Sequence, residues 1–266
     1  VLIASRTDPP LPLALLRGRG QLLEVRLHEL RFSNEDAETY LNGGIGLKLA
    51  QMGIQKLNQK TEGWIAGLQM AALAMQDLAT RGVPALSKQD KVSDFVTSFS
   101  GSNRYILDYL IEEVLNHQPA AIQNFLIRTS ILDQLCGPLC DALLVEDEPG
   151  ANTSSQEVLQ YLESCNLFLF PLDDQRNWYR YHQLFADLLR KRLAQKSPEG
   201  SRELHRRAML WYEQNGLIPR AIQHALEIQD FKKAAALVAS ITEELWGRGE
   251  HATLLAWMAA LPDEEK

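Results

Sequence analysis

Residues 166–192, NLFLFPLDDQRNWYRYHQLFADLLRKR, decide the fold. Positions 167–172 and 177–181 are apolar and aromatic runs of strand length, and Asp173-Asp174-Gln175-Arg176 between them is polar turn chemistry. The two runs predict a β-hairpin. Upstream, Val158, Leu159 and Leu162 interleave with Gln156, Glu157 and Glu163 at helical spacing, and downstream Leu184, Phe185, Leu188 and Leu189 resume it. Helix, hairpin and helix in that order predict a winged-helix domain, with His182 at the junction of wing and second helix.

Working outward, the 266 residues allow one large domain or two to three small ones. A hydrophobic fraction of 45% and a charged fraction of 23% are those of an ordinary globular protein, not a disordered one. No apolar run approaches the roughly 18 residues of a membrane span, and residues 1–5 lack the charge and length of a signal peptide. A cytoplasmic protein without a membrane partner is expected. The net charge of −7 argues against a chain built as a whole to sit on nucleic acid. Three cysteines fit a reducing compartment, and Gly137-Pro138 between Cys136 and Cys140 favours reduced thiols over a metal site.

At the amino end, Val1-Leu2-Ile3-Ala4-Ser5 and residues 21–27 read as strands of an α/β sheet. Such a pair is marginal without neighbours, so the expectation is that residues 1–32 are the tail of a larger α/β domain cut at Val1. Pro9, Pro10 and Pro12 stop the first strand. Arg6 then sits at the carboxyl end of a strand, where open α/β sheets bind ligands. It can reach a terminal phosphate or pair with Asp8; spacing alone does not choose. No GxxxxGK[ST] occurs, and Gly43-Gly44-Ile45-Gly46 is not a dinucleotide fingerprint.

Residues 33–90 predict a helical domain. Ser33-Asn34-Glu35-Asp36 opens its first helix, residues 47–58 form a second, and Thr61-Glu62-Gly63-Trp64 starts a third. Trp64 can lean on a flat base or simply fill the core. Residues 91–197 predict the winged-helix arm domain, whose first helices are marked by Val92, Phe95, Val96 and Phe99, then by Ile106, Leu110 and Val114, then by Ile122, Phe125 and Leu126. Glu112, Glu113 and Asp108 fall on a polar helix face and read as solvated charges rather than catalytic carboxylates. With no nucleophile and base in a recognisable arrangement, no catalytic residue and no metal ligand is assigned.

Residues 198–266 predict helical repeats. Trp211 precedes Trp246 by 35 positions and Gly216 precedes Gly249 by 33, near the period of tetratricopeptide-type units. Repeats of this kind stack to share a core, so further repeats downstream are expected.

VLIASRTDPPLPL, TEGWIAGLQMAALAM, RYILDYLIEEVL, FLIRTSILDQLCGPLCDAL, the wing segment and LHRRAMLWYEQNG together closely resemble the MalT-like branch of the LuxR-type regulators, signal-transduction ATPases of the STAND class. The resemblance covers essentially the whole chain. It implies a mainly α segment comprising the tail of a P-loop NTPase domain, a helical lid, a winged-helix arm and the first repeats of a sensor. It also implies ATP or ADP as cofactor, Mg held by an upstream domain, an inducer on downstream repeats, self-association on activation, and DNA contact only through a carboxyl-terminal helix-turn-helix.

Carried over residue by residue, Arg6 resembles a sensor of the γ-phosphate. The Gly63-Trp64-Ile65 turn resembles a loop packing near the nucleotide base, although many relatives carry proline where this chain has Ile65. His182 matches a histidine that contacts the ADP β-phosphate. An imidazole can donate to phosphate, and positive charge strengthens such a bond. A competing reading makes the winged helix itself a DNA binder or a protein-interaction scaffold. From position 180 to 207 there are eight Lys/Arg against three acids, but the recognition-helix segment 155–164 carries Glu157 and Glu163 and no base.

Overall fold

The computed structural model describes residues 1–5, 9–26, 29–80, 95–96, 99–101, 103–144 and 154–265. In chain order these form α1 (Leu13–Gly18), α2 (Asn34–Glu38, running on as a wide turn Thr39–Gly44), α3 (Gln51–Thr61), α4 (Ile65–Thr80), α5 (Arg104–Tyr109, running on as Leu110–Leu115), α6 (Ala120–Thr129), α7 (Gly137–Leu144) and α8 (Ser155–Ser164). Strands β1 (Leu169–Pro171) and β2 (Tyr179–Tyr181) follow, then α9 (Gln183–Lys196), α10 (Pro198–Gln214), α11 (Ile218–Glu227), α12 (Phe231–Gly247) and α13 (His251–Ala260). The fold is mainly helical with one two-stranded sheet. Among the described residues no helix is long and apolar enough to cross a membrane.

Two compact units result: Val1–Gln123 with Tyr161–Phe170 and Tyr181–Lys191, and Asn124–Gln160 with Pro171–Arg180 and Arg192–Lys266. In the first, Ser33 opens α2 with a capping box: its hydroxyl accepts from the Asp36 N–H and the Asp36 carboxylate accepts from the Ser33 N–H. The Ser33 hydroxyl, which also donates to the Asp36 carboxylate at 2.7 Å, and then the Ser33 N–H hold that carboxyl below its ordinary range. Ile54 and Leu57 of α3 and Leu68, Ala71, Ala72 and Met75 of α4 are buried, forming the core of this helical pair. The Asn42 amide closes the preceding loop by bonding both the N–H and the carbonyl of Leu49.

The expected strands do not form. Residues 1–5 and 21–26 carry no strand, with Val1, Leu2 and Leu23 fully or almost fully exposed. A strand buried on both faces needs partners on both edges, and none is supplied here. Arg6 lies outside the described residues, as do most of the insert at 145–153 and positions 81–94.

In the second unit, Leu135 and Tyr179 exchange both backbone hydrogen bonds at 2.8 Å, tying the wing to the turn before α7. Asp173 organises the wing tip by accepting the N–H groups of Asn177 and Trp178, which draw its carboxyl below its ordinary range. Helices α10 to α13 then pack each on the next. Gly216 and Gly249 adopt φ of 72° and 75°, and their turns match: Gly216 N–H donates to Glu213 and Leu217 N–H to Tyr212, as Gly249 does to Trp246 and Glu250 to Leu245. Each of these positions recurs 33 residues later. The tryptophan pair does not share that register: Trp246 stands where Glu213 stands, and it is exposed.

Candidate functional site

The site starts where α3 ends. Gly63 N–H donates to the Asn58 carbonyl and Glu62 N–H to Gln59, a Schellman turn with Glu62 at φ 50° and Gly63 at φ 72°. Thr61-Glu62-Gly63 therefore closes one helix instead of opening the next, which begins at Ile65. Glycine is required at position 63 twice over: besides its positive φ, an added Cβ would stand 2.8 Å from the Phe32 carbonyl oxygen. Trp64 leaves this turn with its N–H on the Thr61 carbonyl at 2.8 Å. Its indole folds back over Gly67, where a Cβ would meet the ring at 2.7 Å.

The other wall comes from the wing. Phe168 adopts φ 55°, an outlier for a bulky residue, and its carbonyl accepts the His182 N–H at 2.7 Å. His182 is 2% exposed. Its Nδ1 accepts the Leu184 N–H at 3.2 Å, so it caps α9. That leaves the ring proton on Nε2, which lies 2.9 Å from the Thr61 carbonyl and donates to it. The ring is thus a neutral donor, since an imidazolium would set N–H against N–H at Leu184. Gln183 N–H, next in line, donates to the Glu62 carboxylate at 2.9 Å.

Trp64, Phe168 and His182 meet edge to face, with centroids 5.0 Å apart for Trp64–Phe168, 5.9 Å for Trp64–His182 and 5.6 Å for Phe168–His182. The Arg31 guanidinium lies 4.7 Å above the Phe170 ring and 4.0 Å from the Glu62 carboxylate. These groups, with Tyr109, line a cavity of about 270 Å³. Glu62 and Phe168 sit in left-handed conformations that cost non-glycine residues about 1–3 kcal/mol each, and such strain gathers at working sites.

Three of the four residues singled out in the sequence, Gly63, Trp64 and His182, are therefore neighbours around one cavity, although His182 lies 121 positions beyond Thr61. Glu62, Arg31 and Phe168 complete the site and carried no local sign of it.

Residues 111–201 match the family model described as the MalT winged helix domain. Over 262 residues, 98% of this chain, the HTH-type transcriptional regulator MalT of Yersinia enterocolitica is 31% identical and 27% of its length is covered. The chain is MalT-like. The MalT protein of Serratia proteamaculans gives 30% identity over 265 residues, covering 99% of this chain and 28% of that protein. The serine/threonine-protein kinase PknK of Mycobacterium tuberculosis is 32% identical over 98% of the chain and 22% of its own length. This MalT-like chain thus spans about a quarter of the length of these curated relatives.

Proposed function

We propose that this MalT-like segment is the lid and latch of a nucleotide-controlled switch in a transcriptional regulator. The observation that carries the reading is the convergence of the Gly63-Trp64 turn and His182 on one aromatic cavity, from sequence positions more than a hundred residues apart. The donor set fits a nucleotide: flat aromatic walls suit a base, Arg31 supplies positive charge, and the His182 N–H suits a phosphate oxygen once it leaves Thr61. When bound, ADP or ATP would supply the phosphate charge that distinguishes one arrangement from another. Arg6 would reach the γ-phosphate, and Mg would be held by an upstream P-loop domain.

In this reading residues 33–90 are the lid, the winged helix is the arm, and helices α10 to α13 are the first tetratricopeptide-like repeats of an inducer-binding sensor. Inducer binding releases the latch, the open form self-associates, and a distant helix-turn-helix reaches DNA. Moving such a switch from 1:99 to 99:1 takes about 5.5 kcal/mol of differential binding, more than the roughly 1.5–3 kcal/mol of one charged hydrogen bond, so packing of the lid must contribute. The kinase relative supports a signalling role for the segment that is separable from any one output. The test is His182→Ala in the full-length protein, read as ADP retention and promoter output. Faster ADP loss with raised basal output is expected; both unchanged would remove the latch.

A further inference from the structure

Two hydrogen bonds join the end of α3 to the first turn of α9: His182 Nε2–H to the Thr61 carbonyl and Gln183 N–H to the Glu62 carboxylate, each 2.9 Å. The first uses the one proton of a neutral imidazole, because Nδ1 is already an acceptor for Leu184. The same proton cannot serve the Thr61 carbonyl and a phosphate oxygen together. The second places a carboxylate against the amino end of a 14-residue helix, where negative charge is favoured. Glu62 holds a backbone conformation that glycine would adopt without strain, and glycine would lack this carboxylate. The Thr61 carbonyl has its other lone pair on the Trp64 N–H, so it tolerates release of the histidine.

We propose that the Thr61-Glu62 turn is a second seat for the latch histidine, an internal contact that holds His182 away from phosphate and lowers the protein's affinity for ADP. The proposal rests on the switch reading above. Its mechanism is a population effect: apparent affinity falls by the fraction of molecules whose histidine is seated on Thr61. Glu62 sets that fraction, because its charged hydrogen bond pins the residue next to His182.

The test measures ADP binding to the full-length protein in two variants that weaken the seat differently. Glu62→Gln keeps an acceptor but removes the charge. Gln183→Pro removes the donor at a first helical position, where proline is tolerated. Each should tighten ADP binding by about threefold to tenfold, and neither should do so when His182→Ala is also present. A capping residue with only a structural role would lower the melting temperature and leave ADP binding unchanged or weaker. If His182→Ala weakens ADP binding while neither seat variant tightens it, the second seat is wrong and the latch stands. If His182→Ala leaves ADP binding unchanged, the latch itself fails and the seat with it.

Discussion

His182 in the first unit and His224 in the second are both buried imidazoles, 2% and 8% exposed, held by different kinds of partner. His182 is held by main-chain groups, the Leu184 N–H and the Thr61 carbonyl, which cannot titrate and which fix its tautomer. His224 of α11 faces another imidazole: its Nδ1 lies 2.8 Å from Nδ1 of His205 on α10, and its ring stacks on Tyr212 at an interplanar angle of 12°. That contact admits one proton between two nitrogens. Burial, then His205, then Arg220 hold His224 down to about 3. Both ring nitrogens of His182 meet the backbone, which makes a directional catch, whereas Nδ1 of His224 meets another imidazole across a joint between α10 and α11.

The contrast extends to the glycines. Gly63 and Gly216 share a φ of 72°, yet a Cβ at Gly63 meets backbone while one at Gly216 meets nothing within 4 Å. Gly63→Ala should destabilise the protein by about 3 kcal/mol and Gly216→Ala by about 1 kcal/mol, measured by urea unfolding. Equal losses would mean that close packing at the α3 turn adds nothing to the cost of its backbone angle.

Acid should act next, through His224. His224 is neutral when folded and regains its ordinary value of 6.5 when unfolded, so the unfolded chain takes up a proton that the folded one refuses. Stability is full above 6.5 and is lost as the pH falls toward 3, by about 2 kcal/mol on reaching about pH 5. His224→Phe, which retains a ring over Tyr212, should flatten that part of the pH profile. A profile unchanged by this substitution would assign the acid sensitivity elsewhere.

The smallest expected effect falls on Trp64. In Gly67→Ala the gain in helix propensity, about 1 kcal/mol, offsets the push of the new methyl on the indole, so net stability should stay within about 1 kcal/mol. The ring must still move. A changed tryptophan emission spectrum at unaltered stability is the expected signature, and an unchanged spectrum would show that the cavity wall does not depend on Gly67.

Much of the architecture was legible because it is local. The wing announced itself through two apolar runs around a turn whose leading residue, Asp173, bonds the backbone of Asn177 and Trp178. The first strand begins at Leu169, two residues into its run, because Phe168 departs from extended geometry to receive His182. Thr61-Glu62-Gly63 reads as a helix start in the sequence, because threonine and an acid are also first-turn chemistry, and ends α3 in the structure. What decides its role is a partner 121 residues away, Gln183, which no local pattern reveals. The same holds for Arg31, whose meeting with Phe170 depends on the fold. Residues 1–5 show the converse, a strand-like composition that forms no strand when unpaired.

The matched turns at Gly216 and Gly249 have a consequence for how such a chain can change length. Removing residues 217–249 as a block would join Gly216 to Glu250, whose N–H would inherit the Tyr212 carbonyl that Leu217 now uses. Splicing at these turns would therefore remove two helices while the two closing hydrogen bonds of the turn, from Gly216 to Glu213 and from residue 250 to Tyr212, keep their form.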